Sequence, residues 1–226
     1  MLLIFVFIIM MRIRISSILF FLIFPVFLFA KNDDFQSWNS LELKTKLLKK
    51  TDFIFEGGLR LSDNSKKIST IFTDLSVKRR YNDIFSYSAG YRYILKSNDQ
   101  IFYRKNRYYL DLNIRHKFSQ KIGYSLRTRL QSQIEGDFYF SQNSNNKIRE
   151  KIKLTYDINS LDCKLFLSSE LFYVINGELE KLRYTSGVEK VINKNVNLCI
   201  SGVFQQAIDP DEDNIFVFRC KFRYKI

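Results

Sequence analysis

The chain has 226 residues, 46% apolar and 26% charged, with 36 lysines and arginines against 23 acids and a formal net charge of +13. One histidine and three widely spaced cysteines, Cys163, Cys199 and Cys220, imply no disulfide framework and argue against structural zinc, so no cofactor is expected. The length suits one barrel or domain rather than two.

Residues 1–30 read as a cleaved secretory signal peptide. Arg12 and Arg14 precede an apolar run from Ser16 to Phe29, and Ala30 stands before the polar KNDD. The run after Arg14 is shorter than the roughly 20 residues of a spanning helix. Met11 is an alternative start, and a retained anchor is the competing reading. Arg12 and Arg14 are the only charges in this segment, so residues 31–226 carry 34 basic and 23 acidic side chains, net +11. An exported basic chain is expected to meet lipopolysaccharide and outer-membrane lipid rather than nucleic acid.

From Leu41 onward, apolar and polar residues alternate with a period of two, the mark of strands with one apolar and one polar face. Leu41, Leu43 and Leu47 oppose Glu42, Lys44 and Lys46, and Phe53, Phe55, Leu59 and Leu61 oppose Glu56 and Arg60. Thr73, Leu75 and Val77 follow. In FSYSAGYRYIL, Phe85, Tyr87, Tyr91 and Tyr93 face away from Arg92. Tyr108, Leu110, Leu112, Ile114, His116 and Phe118 oppose Arg107, Asp111 and Arg115, and Ile122, Tyr124, Leu126, Leu130 and Ile134 oppose Arg127, Arg129 and Glu135. Ile152, Leu154 and Tyr156 oppose Arg149, Lys151 and Lys153, and Leu165, Leu167, Leu171 and Tyr173 oppose Lys164 and Glu170. Leu182, Tyr184 and Val188 oppose Arg183 and Glu189; Leu198, Ile200 and Phe204 oppose Asn197 and Gln205; and Phe216, Phe218, Phe222 and Tyr224 oppose Arg219, Lys221 and Arg223.

Tight turns alternate with longer polar loops at Ser62–Lys67, Lys96–Gln100, Gly136–Asn146, Asn176–Glu180 and Ile208–Asp213, and rings gather beside the tight turns at Phe53, Tyr81, Phe85, Phe118, Tyr124, Tyr156 and Tyr224. Both features belong to transmembrane barrels. A soluble periplasmic barrel would turn the same apolar face inward, but so many bulky residues would overfill a small interior. The alternating FVFRCKFRYKI at the end resembles the terminal strand read by the barrel-assembly machinery. The expected fold is therefore all-β, an antiparallel outer-membrane β-barrel over residues 31–226. Eleven segments alternate, whereas bacterial single-chain barrels have an even count. Ten to twelve strands are expected, with Asp34–Asn39 a candidate extra strand.

The stretches WNSLELKTKLLKK, EGGLRLSDN, FTDLSVKRRY, FSYSAGYRYIL, REKIKLTYDI, SELFYVINGE and LRYTSGVEKVINKN resemble the domain of unknown function 2490 family, outer-membrane-type barrels found largely in Bacteroidetes. GYRY at Gly90–Tyr93, ELFY at Glu170–Tyr173 and Leu59-Arg60 ahead of Asp63-Asn64 are the most specific pieces; Gly57-Gly58 departs from the polar residues expected there. The resemblance implies an architecture and a location but no activity.

Candidate lumen-lining residues are Arg60, Arg92, Arg107, Asp111, Arg115, Arg127, Arg129, Glu135, Arg149, Glu170, Arg183 and Glu189. One reading makes them a mutually satisfied charge network, the other a positive constriction that favours anions. The expected role is a structural barrel or narrow channel; the alternative is a loop-based enzyme or surface binding module. Catalysis has little support: His116 shares a face with Ile114 and Phe118, and Glu135, Asp137, Glu178 and Glu180 read as solvated loop acids. Asp209, Asp211 and Asp213 lack the glycine and glutamate of a calcium loop. Trp38 and Phe138–Phe140 read as interface anchors.

Overall fold

A strand that alternates rings and branched residues with cations has two incompatible faces. It reaches its lowest energy where each face meets its own solvent. The computed structural model describes residues 34–98, 101–135, 143–175, 177–209 and 213–226 and shows how the chain achieves this. Among the described residues run eleven strands, β1 (Asp34–Leu48), β2 (Thr51–Ser62), β3 (Lys67–Arg80), β4 (Phe85–Asn98), β5 (Ile101–Lys117), β6 (Ile122–Glu135), β7 (Asn143–Ile158), β8 (Cys163–Val174), β9 (Glu178–Val191), β10 (Val196–Ala207) and β11 (Ile215–Lys225). They form one closed barrel, each strand beside its sequence neighbour, with β11 returning to β1. Closure pairs every ladder and removes the sheet edges, which hydrocarbon could not satisfy. The expected signal peptide, Asp137, the Phe138–Phe140 cluster and Asp211 lie outside the described residues.

The faces are inverted relative to a soluble barrel. Leu112 is 65% exposed and its neighbour Asp111 only 7%; Leu75 is 43% exposed beside Asp74 at 3%. The apolar rows cover the outside and the charged rows line the inside, the arrangement of a transmembrane barrel. At the rim that carries the tight turns, called the lower rim below, Tyr81, Phe85, Phe118, Tyr156 and Tyr224 are exposed, and Phe118 packs 4.9 Å from Tyr124. His116 lies on the same outer face between these two rings, 6.0 Å and 5.9 Å away. Glu150 interrupts the outer belt, and its carboxylate accepts a hydrogen bond from Thr128 Oγ1 on the next strand at 2.9 Å.

Three expectations change. Asp34–Asn39 is not a separate strand but the first half of β1, so the count is eleven. An odd count brings β11 back to β1 in the same direction, so the pairing from Asp34↔Ile215 to Lys44↔Lys225 is parallel while the other ten pairs are antiparallel. Asp34 and Ile226 consequently lie at opposite rims. The upper loops are also shorter than their polar composition suggests, because pairing continues into them: Ser97↔Phe102 and Asn98↔Ile101 extend one hairpin, and Ile134↔Ser144 another. At Asp63 and Asn64, left-handed backbone (φ 53° at each) makes the upper turn, a conformation that Asp and Asn tolerate better than most residues.

Leu112→Arg would place a cation on the outer belt at mid-strand. It should lower the insertion stability by about 2–4 kcal/mol, read from urea titration of the protein refolded into lipid vesicles; an unchanged midpoint would mean that this face meets water.

The charged interior as candidate functional site

Parity assigns one residue in two to the interior, and the inner residues enclose a cavity of about 900 Å³. It extends from Ser62 and Lys96 near the upper rim to Lys78 and Asn113 toward the lower one. Fifteen lysines and arginines and seven acids line it, an excess of eight positive charges. Ten of the twelve sequence candidates lie on this lining: Arg60, Arg92, Arg107, Asp111, Arg127, Arg129, Glu135, Arg149, Glu170 and Arg183. Glu189 sits below it and accepts a hydrogen bond from Arg223 Nη1 at 2.7 Å. Arg115 shares the inner parity but is exposed toward the lower rim.

Charges inside a closed wall lose bulk water and need partners. Carboxylates supply many of them. Asp74 accepts from Arg92 Nε and Tyr109 Oη, both at 2.7 Å, while Asp111 is held by both forks of Arg129 at 2.6 and 2.8 Å, linking β3, β4, β5 and β6. Glu170, 3% exposed, receives Arg149 Nη2 at 2.6 Å and Arg127 Nη2 at 2.5 Å, with Arg183 Nη1 at 3.9 Å, linking β6 to β9. Lys221 reaches Glu42 at 2.6 Å and Glu56 at 2.9 Å and Arg223 reaches Glu42 at 2.8 Å, so these three pairs cross the parallel seam, while Arg223 also reaches back over β10 to Glu189 at 2.7 Å. Nearer the upper rim Lys105 holds Glu135 at 2.5 Å and Lys147 holds Glu180.

Aromatic faces are the second kind of partner, and sequence reasoning missed them. Arg129 lies 3.8 Å over Tyr109, Arg92 4.3 Å over Phe72, Arg149 4.3 Å over Phe172 and Lys153 4.1 Å over Phe166. Trp38, expected at the membrane interface, is instead an interior residue, 7% exposed, with Arg60 4.1 Å over its ring. Its phase with Glu42 and Lys44 was the available signal. Arg60, Lys78, Lys96, Arg107, Lys151 and Arg219 line the cavity with no carboxylate within 4.0 Å among the described residues; Arg107 donates instead to Gln133 Oε1 at 2.5 and 3.1 Å.

Residues 35–215 match the family described as protein of unknown function (DUF2490). The chain belongs to that family. The structure is similar to that of the porin NanC in its rhombohedral crystal form, with a TM-score of 0.52 at 12% identity over 81% of this chain and 93% of that one. It also matches the translocator domain of the autotransporter NalP from Neisseria meningitidis, at a TM-score of 0.37 and 15% identity over 72% of this chain and 70% of that one. No curated protein matches the sequence. The likeness to NanC is one of fold.

The stretches that carry the DUF2490 resemblance build this interior. GYRY supplies Arg92 to Asp74, and Gly90 lies beneath Tyr109: a Cβ there would come within 2.2 Å of the ring. ELFY supplies Glu170 and the inward Phe172. Gly58, which departs from the expected polar residue, stands opposite Phe72, and a Cβ on it would meet that ring at 2.3 Å. Gly187 likewise stands opposite Phe166. Each glycine lets a ring lie flat on the wall and offer its face to a cation.

Glu170→Gln leaves three guanidiniums around a neutral amide. A loss of about 3–5 kcal/mol is expected, measured as a lower urea midpoint. Gly90→Ala should cost about 1–3 kcal/mol through overpacking against Tyr109; an unchanged midpoint in either variant would remove that contact from the account.

Proposed function

We propose that this DUF2490 chain is an outer-membrane barrel whose interior is a narrow passage favouring anions. The observation that carries the reading is the excess of eight positive charges on the cavity lining, with six cations left without a carboxylate among the described residues. A wall lined by one sign of charge raises the local concentration of the opposite ion, and an arginine-rich constriction excludes cations. Eleven strands fall between the roughly eight-stranded barrels filled by side chains and the 16–18-stranded porins with open channels, which suits a narrow bore. The lipid-facing rows and lower aromatic belt support insertion in the outer membrane by the barrel-assembly machinery, with membrane lipid and lipopolysaccharide as neighbours. No catalytic role is part of this reading: His116 is turned outward between Phe118 and Tyr124.

Planar-bilayer recording on refolded protein tests it. Discrete, anion-selective steps are expected, and silence would leave a structural barrel. Arg127→Glu combined with Arg129→Glu should reduce the anion preference or weaken folding; if both stay unchanged, these side chains do not border a passage. Slower or faster migration on an SDS gel before boiling than after it would report the folded barrel in membrane extracts, and recovery in the soluble periplasmic fraction would refute the location.

A further inference from the structure

Most interior cations have a designated acid. One group does not. Trp38 is opposed in register by Arg60 on β2 and by Arg219 on β11, so both side chains flank the same indole. Arg183 reaches the same ring from β9, and the three guanidinium carbons stand 4.1, 5.3 and 5.2 Å from the centroid for Arg60, Arg219 and Arg183. Neither Arg60 nor Arg219 lies within 4.0 Å of a carboxylate among the described residues. Arg183 touches Glu170 only at 3.9 Å, donates one hydrogen bond to Gln205 Oε1 at 2.7 Å, and keeps its Nε buried without a partner.

Three like charges about one ring repel each other, and the quadrupoles of Trp38 and of the neighbouring Phe172 and Phe72, which Arg183 and Arg60 also approach at 4.6 and 5.5 Å, offset only part of that repulsion. What the group lacks is negative charge. We propose that Arg60, Arg183 and Arg219 form a binding site for a compact, multivalent oxyanion of the carboxylate or phosphate kind. Forked guanidiniums match the paired oxygens of such groups, and three converging forks favour several charges on one small ligand over a lone halide. Trp38 offers the ligand no stacking platform, because Arg60 covers its ring, and no donor, because its Nε1–H is given to Gln36 Oε1 at 3.0 Å. Recognition is therefore by charge and forked hydrogen bonds. The site deepens the anion-passage reading and needs it only for access.

Trp38 is the chain's only tryptophan, so its fluorescence reports this site directly. The refolded full chain would be titrated with inorganic phosphate, with citrate and with chloride at matched ionic strength. The expected result is a saturable change with phosphate or citrate, half-complete at a concentration at least tenfold below any chloride effect. The anion with the lower midpoint identifies which of the two chemistries the site prefers. Arg60→Gln and Arg219→Gln should each raise that midpoint tenfold or more, while Lys46→Gln at the lower rim leaves it unmoved. A flat titration, or one that chloride reproduces at equal ionic strength, overturns the site, and this wild-type comparison decides even if a variant fails to refold. Saturable fluorescence without bilayer conductance would sink the passage and keep the site. Anion-selective conductance with flat fluorescence would do the reverse.

Discussion

Everything in this molecule follows from the inversion of its two faces. Once the leucine and ring rows look outward, most of the charged side chains on the strands are forced inside the wall, where a cation without a partner is costly. The wall answers in two ways, with carboxylates shared between arginines and with aromatic faces. Acids are fewer than cations, so the sharing is economical: Glu170 serves three arginines, and Glu42 serves Lys221 and Arg223.

Three of the aromatic partners lie against glycine. A ring on the inside of a barrel normally projects into the bore, but opposite a residue with no side chain it can lie against the backbone. Phe72 on Gly58, Tyr109 on Gly90 and Phe166 on Gly187 do this, and each carries a cation on its inner face. The layers thus thicken the wall by one ring and one guanidinium, and the space left between opposite walls is correspondingly polar and positive. Tyr109 shows both devices at once, since its hydroxyl binds Asp74 while its face carries Arg129.

Much of this was legible from period-two patterning taken together with the bulk of the apolar face and the alternation of tight turns with longer loops. It assigned Leu112 outward and Asp111 inward, and it placed ten of the twelve interior candidates on the cavity. It could not tell which acid meets which base, because hubs such as Glu170 gather residues from four strands, and register is fixed by pairing rather than by composition. Trp38 was misplaced because residue type was weighed above phase: a tryptophan suggests a membrane interface, yet its position two turns of the pleat from Glu42 puts it inside. The parallel seam was unreadable for another reason. A strand's pattern is the same whichever way its neighbour runs.

Among the described residues that seam joins the segments farthest apart in sequence, Asp34 with Ile215, whereas every other ladder is a local hairpin. Bringing such remote ends together carries the largest chain-entropy penalty of any pairing in the wall. Lys221 and Arg223 fasten it from within to Glu42 and Glu56. The ion pairs there act as a latch on the one ladder that chain proximity does not favour, and a cylinder lacking that ladder would stand open sideways at the junction of β1 and β11.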